Sequence, residues 1–341
     1  MKILLFTLLS LALIPSLKLT VATEKLESKQ ITPYKFTDNV MPSYTIPASS
    51  RFTIKRLDVN APEIVYYFSK PSASKYPIAI ICGGSSSKDD IGSIIHFHRY
   101  FLKEFMGLGV GVLTVEQWGV DGSKVNKHEF MEHYTRSQRG QDHRAVIEHL
   151  KLNPPTGWNG KLILLGVSEG GPLVTTLTAA YPEITIATIN WSGAGDWSWR
   201  EELWEFVQKL STENPLCPHN TKLNDCSTCL GVITSRNRYD ACMDATIDNP
   251  TADQYFFNMS YKYHADAQHY PPPPYEKIRT PFLVVAGAQD TTIQSTDAFV
   301  KKAKSAGGNI TYLRVPDMDH YVRKRPDIVQ ASFEWLEDVL K

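Results

Sequence analysis

The chain carries no excess charge of either sign. Its 36 lysines and arginines are matched by 36 aspartates and glutamates, so no global field argues for nucleic acid or an anionic membrane surface as a partner. It has no internal repeat and no long low-complexity tract, which sets aside solenoid and linker-like architectures. Long apolar runs are missing too. The one near the N-terminus, Ile3 to Ile14, is interrupted at Pro15 and is too short for a comfortable membrane span. Cysteine is sparse, at five in 341 residues, and none stands near the end of that run, where a bacterial lipid anchor would need it.

Apolar material is plentiful. At 42% hydrophobic over 341 residues, the chain can build one large domain or two small ones. The N-terminal run follows Met1-Lys2 and leads to the small residues of Thr20-Val21-Ala22. That is the layout of a secretory signal peptide. Residues 1–22 are expected to be removed, leaving a secreted or periplasmic protein with no integral membrane span; an uncleaved anchor is the alternative.

The cysteines suit that compartment. Cys82 stands alone in an apolar stretch, whereas Cys217, Cys226, Cys229 and Cys242 cluster. In a secreted chain such a cluster reads first as two disulfides, with three pairings open. The C-x-x-C spacing of Cys226 and Cys229 keeps a zinc site as the competitor.

One stretch organises the rest. Leu162 to Leu165 is a continuous apolar run and reads as a buried strand. Residues 171–180 read as a helix with Pro172 in its first turn, where a missing N–H costs nothing. Between them lies Gly166-Val167-Ser168-Glu169-Gly170. This is G-x-S-x-G at a sharp strand-to-helix turn. Its glycines let the two elements approach, and the helix N-terminus favours negative charge beside the serine. A Gly/Ser-rich turn without chemistry is the plain alternative.

The same alternation recurs along the chain. Strands are expected at 64–68, 78–82, 110–115, 184–191, 281–286 and 310–315, with an edge strand near 52–57. Helices are expected at 90–106, 136–151, 295–305 and 328–340. His96 and His98, two apart on a helix, are poor co-ligands and read as surface or partly packed residues. Asp142 and Arg144 read as surface charges. Residues 196–277 break the rhythm with four cysteines, clustered aromatics and Pro271 to Pro274.

The elbow and its setting resemble the α/β-hydrolase superfamily, closest in layout to its dienelactone-hydrolase and prolyl-oligopeptidase-like group. The likeness covers about 60–195 and 278–341. It implies a mostly parallel central sheet flanked by helices, with residues 23–195 and 278–341 as core. Residues 196–277 would be a disulfide-stapled cap. The superfamily's order of Ser, then acid, then His falls here on Ser168, Asp290 and His320, each after an expected strand. Asp317 and Asp319 compete as the acid. The loop Gly83-Gly84-Ser85 lacks the His common there, yet it and Glu169 would supply the oxyanion-hole N–H groups, from Gly84 or Ser85 and from Glu169. Trp118, Trp191 and Trp197 are candidate pocket walls, with a buried cap over the sheet edge as the alternative for Trp118.

The implied activity is hydrolysis of a carboxylic ester on a small molecule, with no cofactor or metal. A peptidase acting on short peptides and a thioesterase use the same groups. A non-catalytic binding protein on the same fold would be expected to have lost one of the three. The cysteine readings separate in solution. Titration of denatured, unreduced protein is expected to find a single thiol, Cys82; several thiols together with chelator-releasable zinc would overturn the disulfides.

Overall fold

Strands buried on both faces are expected to be apolar throughout, without polar alternation, and the central strands here follow that rule. The computed structural model describes residues 50–56, 61–213 and 235–341. The expected signal peptide, Leu57, Cys217, Cys226 and Cys229 lie outside the described residues.

In chain order, β1 (Arg51–Ile54) and β2 (Ile64–Ser69) are followed by β3 (Tyr76–Cys82), α1 (Ile95–Gly107) and β4 (Gly111–Val115). A short hairpin of β5 (Val120–Asp121) and β6 (Lys124–Val125) precedes α2 (Lys127–His133) and α3 (Arg136–Leu152). Next come β7 (Trp158–Val167), α4 (Gly170–Ala180) and β8 (Thr185–Trp191). After them lie α5 (Trp199–Glu213), α6 (Arg236–Asp248), a ribbon of β9 (Tyr255–Phe256) and β10 (Met259–Ser260), and α7 (Tyr261–His269). The alternation resumes with β11 (Phe282–Gly287), α8 (Ile293–Ser305), β12 (Ile310–Val315) and α9 (Pro326–Leu340).

Eight strands form one sheet in the order β1-β2-β4-β3-β7-β8-β11-β12. The β1–β2 and β2–β4 pairs are antiparallel, and the rest are parallel. Successive side chains of one strand serve opposite faces. On β3, Ala79 and Ile81 join a core with Phe101 and Phe105 of α1 and Phe333 and Leu336 of α9. Ile78, Ile80 and Cys82 face Val146 and Ile147 of α3 and Leu173 and Leu177 of α4. The strand order reverses direction between β3 and β7, which makes their carboxyl ends the switch point where open α/β sheets bind ligands.

Several expectations change in the structure. The helix after the glycine loop begins at Ile95, not Asp90. Ser87 and Asp90 instead bond each other across a turn, and Lys88 N–H donates to Asn258 O. His98 is not a surface group. It is fully buried, and its nitrogens sit 2.9 Å from Ser69 Oγ and 3.0 Å from Thr114 Oγ1. Burial lowers its pKa to about 4, so it is neutral. Asp142 is buried as well, where the Arg56 guanidinium grips both its oxygens at 3.0 and 2.7 Å.

Between β8 and β11 most aromatics pack on one another. Tyr239, Met243, Phe256 and Tyr261 form a cluster with Leu203, flanked by Trp204. Cys242 is buried in the same cluster.

The approach of α4 to β3 is among the tightest demands on the sequence. A Cβ on Gly170 would sit 2.0 Å from the carbonyl oxygen of Cys82. Backbone cannot yield as a flexible side chain can, so Gly170→Ala is expected to destabilise by at least about 1–3 kcal/mol. A urea midpoint equal to wild type would show that the helix can back away freely.

Candidate active site

Strand β7 ends at Val167 and the chain turns through Ser168 into α4. Ser168 takes φ 51°, a left-handed conformation that costs a non-glycine residue about 1–3 kcal/mol. Backbone bonds hold it there. Ser168 N–H donates to Trp191 O at 2.8 Å, and Gly171 N–H donates to Ser168 O at 2.7 Å. Gly193 packs against the same carbonyl so closely that a Cβ would lie 2.0 Å from Ser168 O.

Asp290 and His320 arrive from the ends of β11 and β12. The two loops are bonded to each other, with Ala288 N–H on Val315 O at 2.8 Å and Gln289 N–H on Met318 O at 3.0 Å. Asp290 Oδ2 lies 2.7 Å from His320 Nδ1, and His320 Nε2 lies 2.8 Å from Ser168 Oγ. An ionised carboxylate can only accept, so Nδ1 carries the proton and Nε2 is free to accept from the serine hydroxyl. Asp290 Oδ1 accepts from Thr292 N–H and Thr292 Oγ1, both at 3.2 Å. Burial pushes the Asp290 carboxyl up, but the His320 bond and charge and the Thr292 bonds outweigh it and hold it below the ordinary range. The competing acids are engaged elsewhere. Asp317 pairs with Arg325 at 2.9 Å, and Asp319 accepts from Tyr321 N–H at 2.7 Å and Lys324 at 3.0 Å.

The glycine loop lies alongside. Cys82 is paired with Gly166 in the β3–β7 register, so the chain leaving β3 runs beside the elbow. A Cβ on Gly84 would stand 3.5 Å from Ser168 Cβ. Tyr134 OH accepts from Ser86 N–H at 2.9 Å, and Gln117 Nε2 donates to Ser86 Oγ at 2.9 Å. The Glu169 side chain turns inward. Its two oxygens accept from Arg136 Nε at 2.7 Å and Nη2 at 3.0 Å. Burial raises the Glu169 carboxyl, and the Arg136 charge and bonds more than reverse this. Three residues along α3, Arg139 Nη2 donates to Gly83 O at 2.6 Å.

A model of the serine aminopeptidase S33 family matches residues 92–322. The chain belongs to this family of α/β hydrolases. The match runs through residues 196–277, where sequence reading found no family signal. Est1E from Butyrivibrio proteoclasticus is 17% identical, over 86% of this chain and 99% of that one, with a TM-score of 0.55. A highly thermostable carboxyl esterase from Bacillus coagulans is 13% identical, over 85% and 97%, with a TM-score of 0.55. Alpha/beta hydrolase domain-containing protein 10 from mouse is 19% identical, over 86% and 100%, with a TM-score of 0.53. At these identities the likeness is one of fold. No curated protein matches the chain.

The expected pocket tryptophans divide. Trp191 of this hydrolase is a core residue with no exposed surface; its indole N–H donates to Ser332 Oγ at 3.2 Å. The inward face of β8 holds it there. Trp118 is covered by the Arg56 guanidinium at 3.8 Å and the His133 ring at 3.9 Å, so it is buried under its neighbours and is no free wall. Trp197 does line a cavity, of about 250 Å³, with Trp199, Arg136, Glu202, Gln268 and Tyr270 among its neighbours. Ser168, Asp290 and His320 are not in its lining. The histidines of the same region are structural in position. His264 is buried between Trp199 Nε1 at 3.0 Å and Phe256 O at 2.6 Å. Among the described residues no group of His, Cys, Asp or Glu is arranged to hold a metal.

Sequence reading passed over Arg136, Arg139 and Glu202. Arg136 and Arg139 share the inner face of α3 with His143, Val146, Ile147 and Leu150. The helical phase of those apolar positions, carried back two turns, points to Arg139, and carried back three, to Arg136. Glu202 had no such signal. Its Oε1 accepts from Ser295 Oγ at 2.8 Å. Burial pushes its carboxyl up, Arg136 and the Ser295 bond pull it down, Glu169 and Asp290 push it up again, and the result is about 7. A folded carboxyl that keeps its proton this far above the ordinary 4.5 binds more protons than the unfolded chain. Its contribution to stability therefore falls as pH rises from 4.5 to about 7. In Glu202→Gln that part of the pH slope should vanish from urea unfolding curves; the wild-type slope persisting in the variant would contradict it.

Proposed function

We propose that this α/β hydrolase is a secreted serine hydrolase that cleaves carboxylic esters through an acyl-enzyme. The observation that carries the reading is the unbroken line of short hydrogen bonds from Ser168 Oγ through His320 to Asp290. A free serine hydroxyl is a weak nucleophile. His320 Nε2 takes its proton as Oγ attacks the ester carbonyl, and returns it to the departing alcohol when the tetrahedral intermediate collapses. Water then repeats the sequence and frees the acid. Asp290 keeps the imidazole in the useful tautomer and steadies the imidazolium. The N–H groups of Glu169 and of Gly84 or Ser85 receive the oxyanion. The steps call on no metal or cofactor.

The oxidising compartment follows from the N-terminal layout, and with it two disulfides among Cys217, Cys226, Cys229 and Cys242. Burial of Cys242 at 2% exposure supports a structural role. The segment between β8 and β11 is read as a cap, and its described residues hold together through their own aromatic cluster. Peptide hydrolysis is the second reading, favoured by the family's description as serine aminopeptidases.

Mature protein treated with a fluorophosphonate should carry the label on the peptide containing Ser168, and Ser168→Ala should carry none. On a short p-nitrophenyl ester, Asp290→Asn should lower kcat about 10⁴-fold with the fold retained by circular dichroism. Folded wild type that takes no label, or label elsewhere, would refute the assignment. Turnover of aminoacyl anilides in preference to esters would replace the ester reading with the peptidase one.

A further inference from the structure

An oxyanion hole built as proposed above takes its two donors from separate chain segments. One follows β3, the other follows β7. Donors must stand about 2.7–3.1 Å from the oxyanion, and a misplacement of about 1 Å can cost 10²-fold in rate. Something must hold the two segments in register beyond the last ladder bonds of the strands.

We propose that α3 does this, with Arg136 and Arg139 as positioning residues for the two halves of the oxyanion hole. The inference rests on the reading of Ser168 as nucleophile. The two arginines lie three residues apart, one turn of helix, and so project on one face. Each is 6% exposed. Arg139 Nη2 donates to Gly83 O at 2.6 Å. That carbonyl belongs to the same peptide plane as the Gly84 N–H. In a trans peptide the C=O and the N–H point in opposite directions, so fixing Gly83 O toward α3 fixes the Gly84 N–H away from it. Gly84 is the residue whose Cβ would come within 3.5 Å of Ser168 Cβ.

Arg136 acts on the other half. Its fork takes both Glu169 oxygens, at 2.7 and 3.0 Å, and a bidentate pair fixes orientation as well as distance. The backbone N–H of Glu169 is the second donor. Arg136 is itself held, with Trp199 4.6 Å and Tyr270 5.8 Å from its guanidinium. Arg139 lies 5.7 Å from the Tyr134 ring, and the Tyr134 hydroxyl accepts from Ser86 N–H at 2.9 Å on the same loop. One rigid helix thus reaches both donor segments, and neither arginine touches Ser168 or His320 in any hydrogen bond or ion pair of the described residues.

The test compares Arg139→Met, Arg139→Lys and Arg136→Lys with wild type. Steady-state turnover of a p-nitrophenyl ester gives kcat and KM, and inhibition by phenylboronic acid reports affinity for a tetrahedral serine adduct. Arg139→Met is expected to lose about 10²–10³-fold in kcat, to keep KM within a few-fold, and to weaken boronate binding in parallel. The pH profile of kcat/KM should keep its midpoint, because His320 and Asp290 are untouched. Arg139→Lys, with a donor at similar reach, should recover at least about tenfold of the loss. Arg136→Lys, with one point donor for a fork, should fall between. If Arg139→Met does not fold, Arg139→Gln, whose amide is too short for Gly83 O, takes its place. A folded Met or Gln variant with wild-type kcat overturns the proposal, as does a loss that appears in KM or that lysine does not relieve. Wild type without label at Ser168 or turnover would instead remove the functional reading beneath it.

Discussion

The parallel register that sets Cys82 opposite Gly166 is the constraint from which the rest of the site follows. It brings the exit of β3 beside the exit of β7 at the point where the strand order reverses. From there one chain turns at once into α4, and the other runs as an open loop over its first turn. The meeting is so close that side chains are excluded at Gly166, Gly170, Gly171 and Gly193. Four bare backbone positions crowd this one serine, and its hydroxyl still reaches His320 Nε2 at 2.8 Å. His320 can stand there because β11 and β12 extend the sheet in the same parallel sense. A one-residue slip in any of these ladders would turn the terminal residues to the opposite face.

Around this point the protein buries charge. The pairs Arg136 with Glu169 and Arg56 with Asp142 are each almost fully enclosed, and Arg139 ends on a backbone carbonyl. Buried pairs are poor sources of stability, since desolvation offsets most of their attraction, but a pair with one partner removed is strongly unfavourable. Such a group tolerates few positions. Charge placed this way trades stability for a defined location, and two of the three arginines, Arg136 and Arg139, bond segments that flank Ser168.

Much of this was legible in the sequence. The continuous apolar runs marked the buried strands, and the boundaries of the strand Ile310–Val315 agree with the structure. Ser168, Asp290 and His320 could be named because each follows a strand, and strand ends of a parallel sheet gather on one side. What stayed illegible has a common cause. Asp142, His98 and Arg139 are polar residues on inner faces, and polarity reads as surface unless its partner is known. Those partners, Arg56, Thr114 and Gly83, are distant in sequence or are backbone. Trp191 was misread for the converse reason: its position at a strand end suggested a pocket, while its side chain points into the core beside Phe101. The start of α1 was lost to a turn closed by Ser87 and Asp90, a contact that no periodicity announces.

Arg136 has a further property. Its guanidinium is gripped by Glu169 on the elbow and flanked by Trp199 at the start of α5 and Tyr270 just past α7. Swinging α5 and α7 outward would strip aromatic faces from a cation still bound to Glu169, and would admit water to a carboxylate next to Ser168. Any such movement is therefore coupled electrically to the turn at Ser168, through the one charge of Arg136. Small displacements around a fixed Arg136 keep that charge enclosed, whereas a hinge carrying α5 and α7 away would leave it half-wrapped.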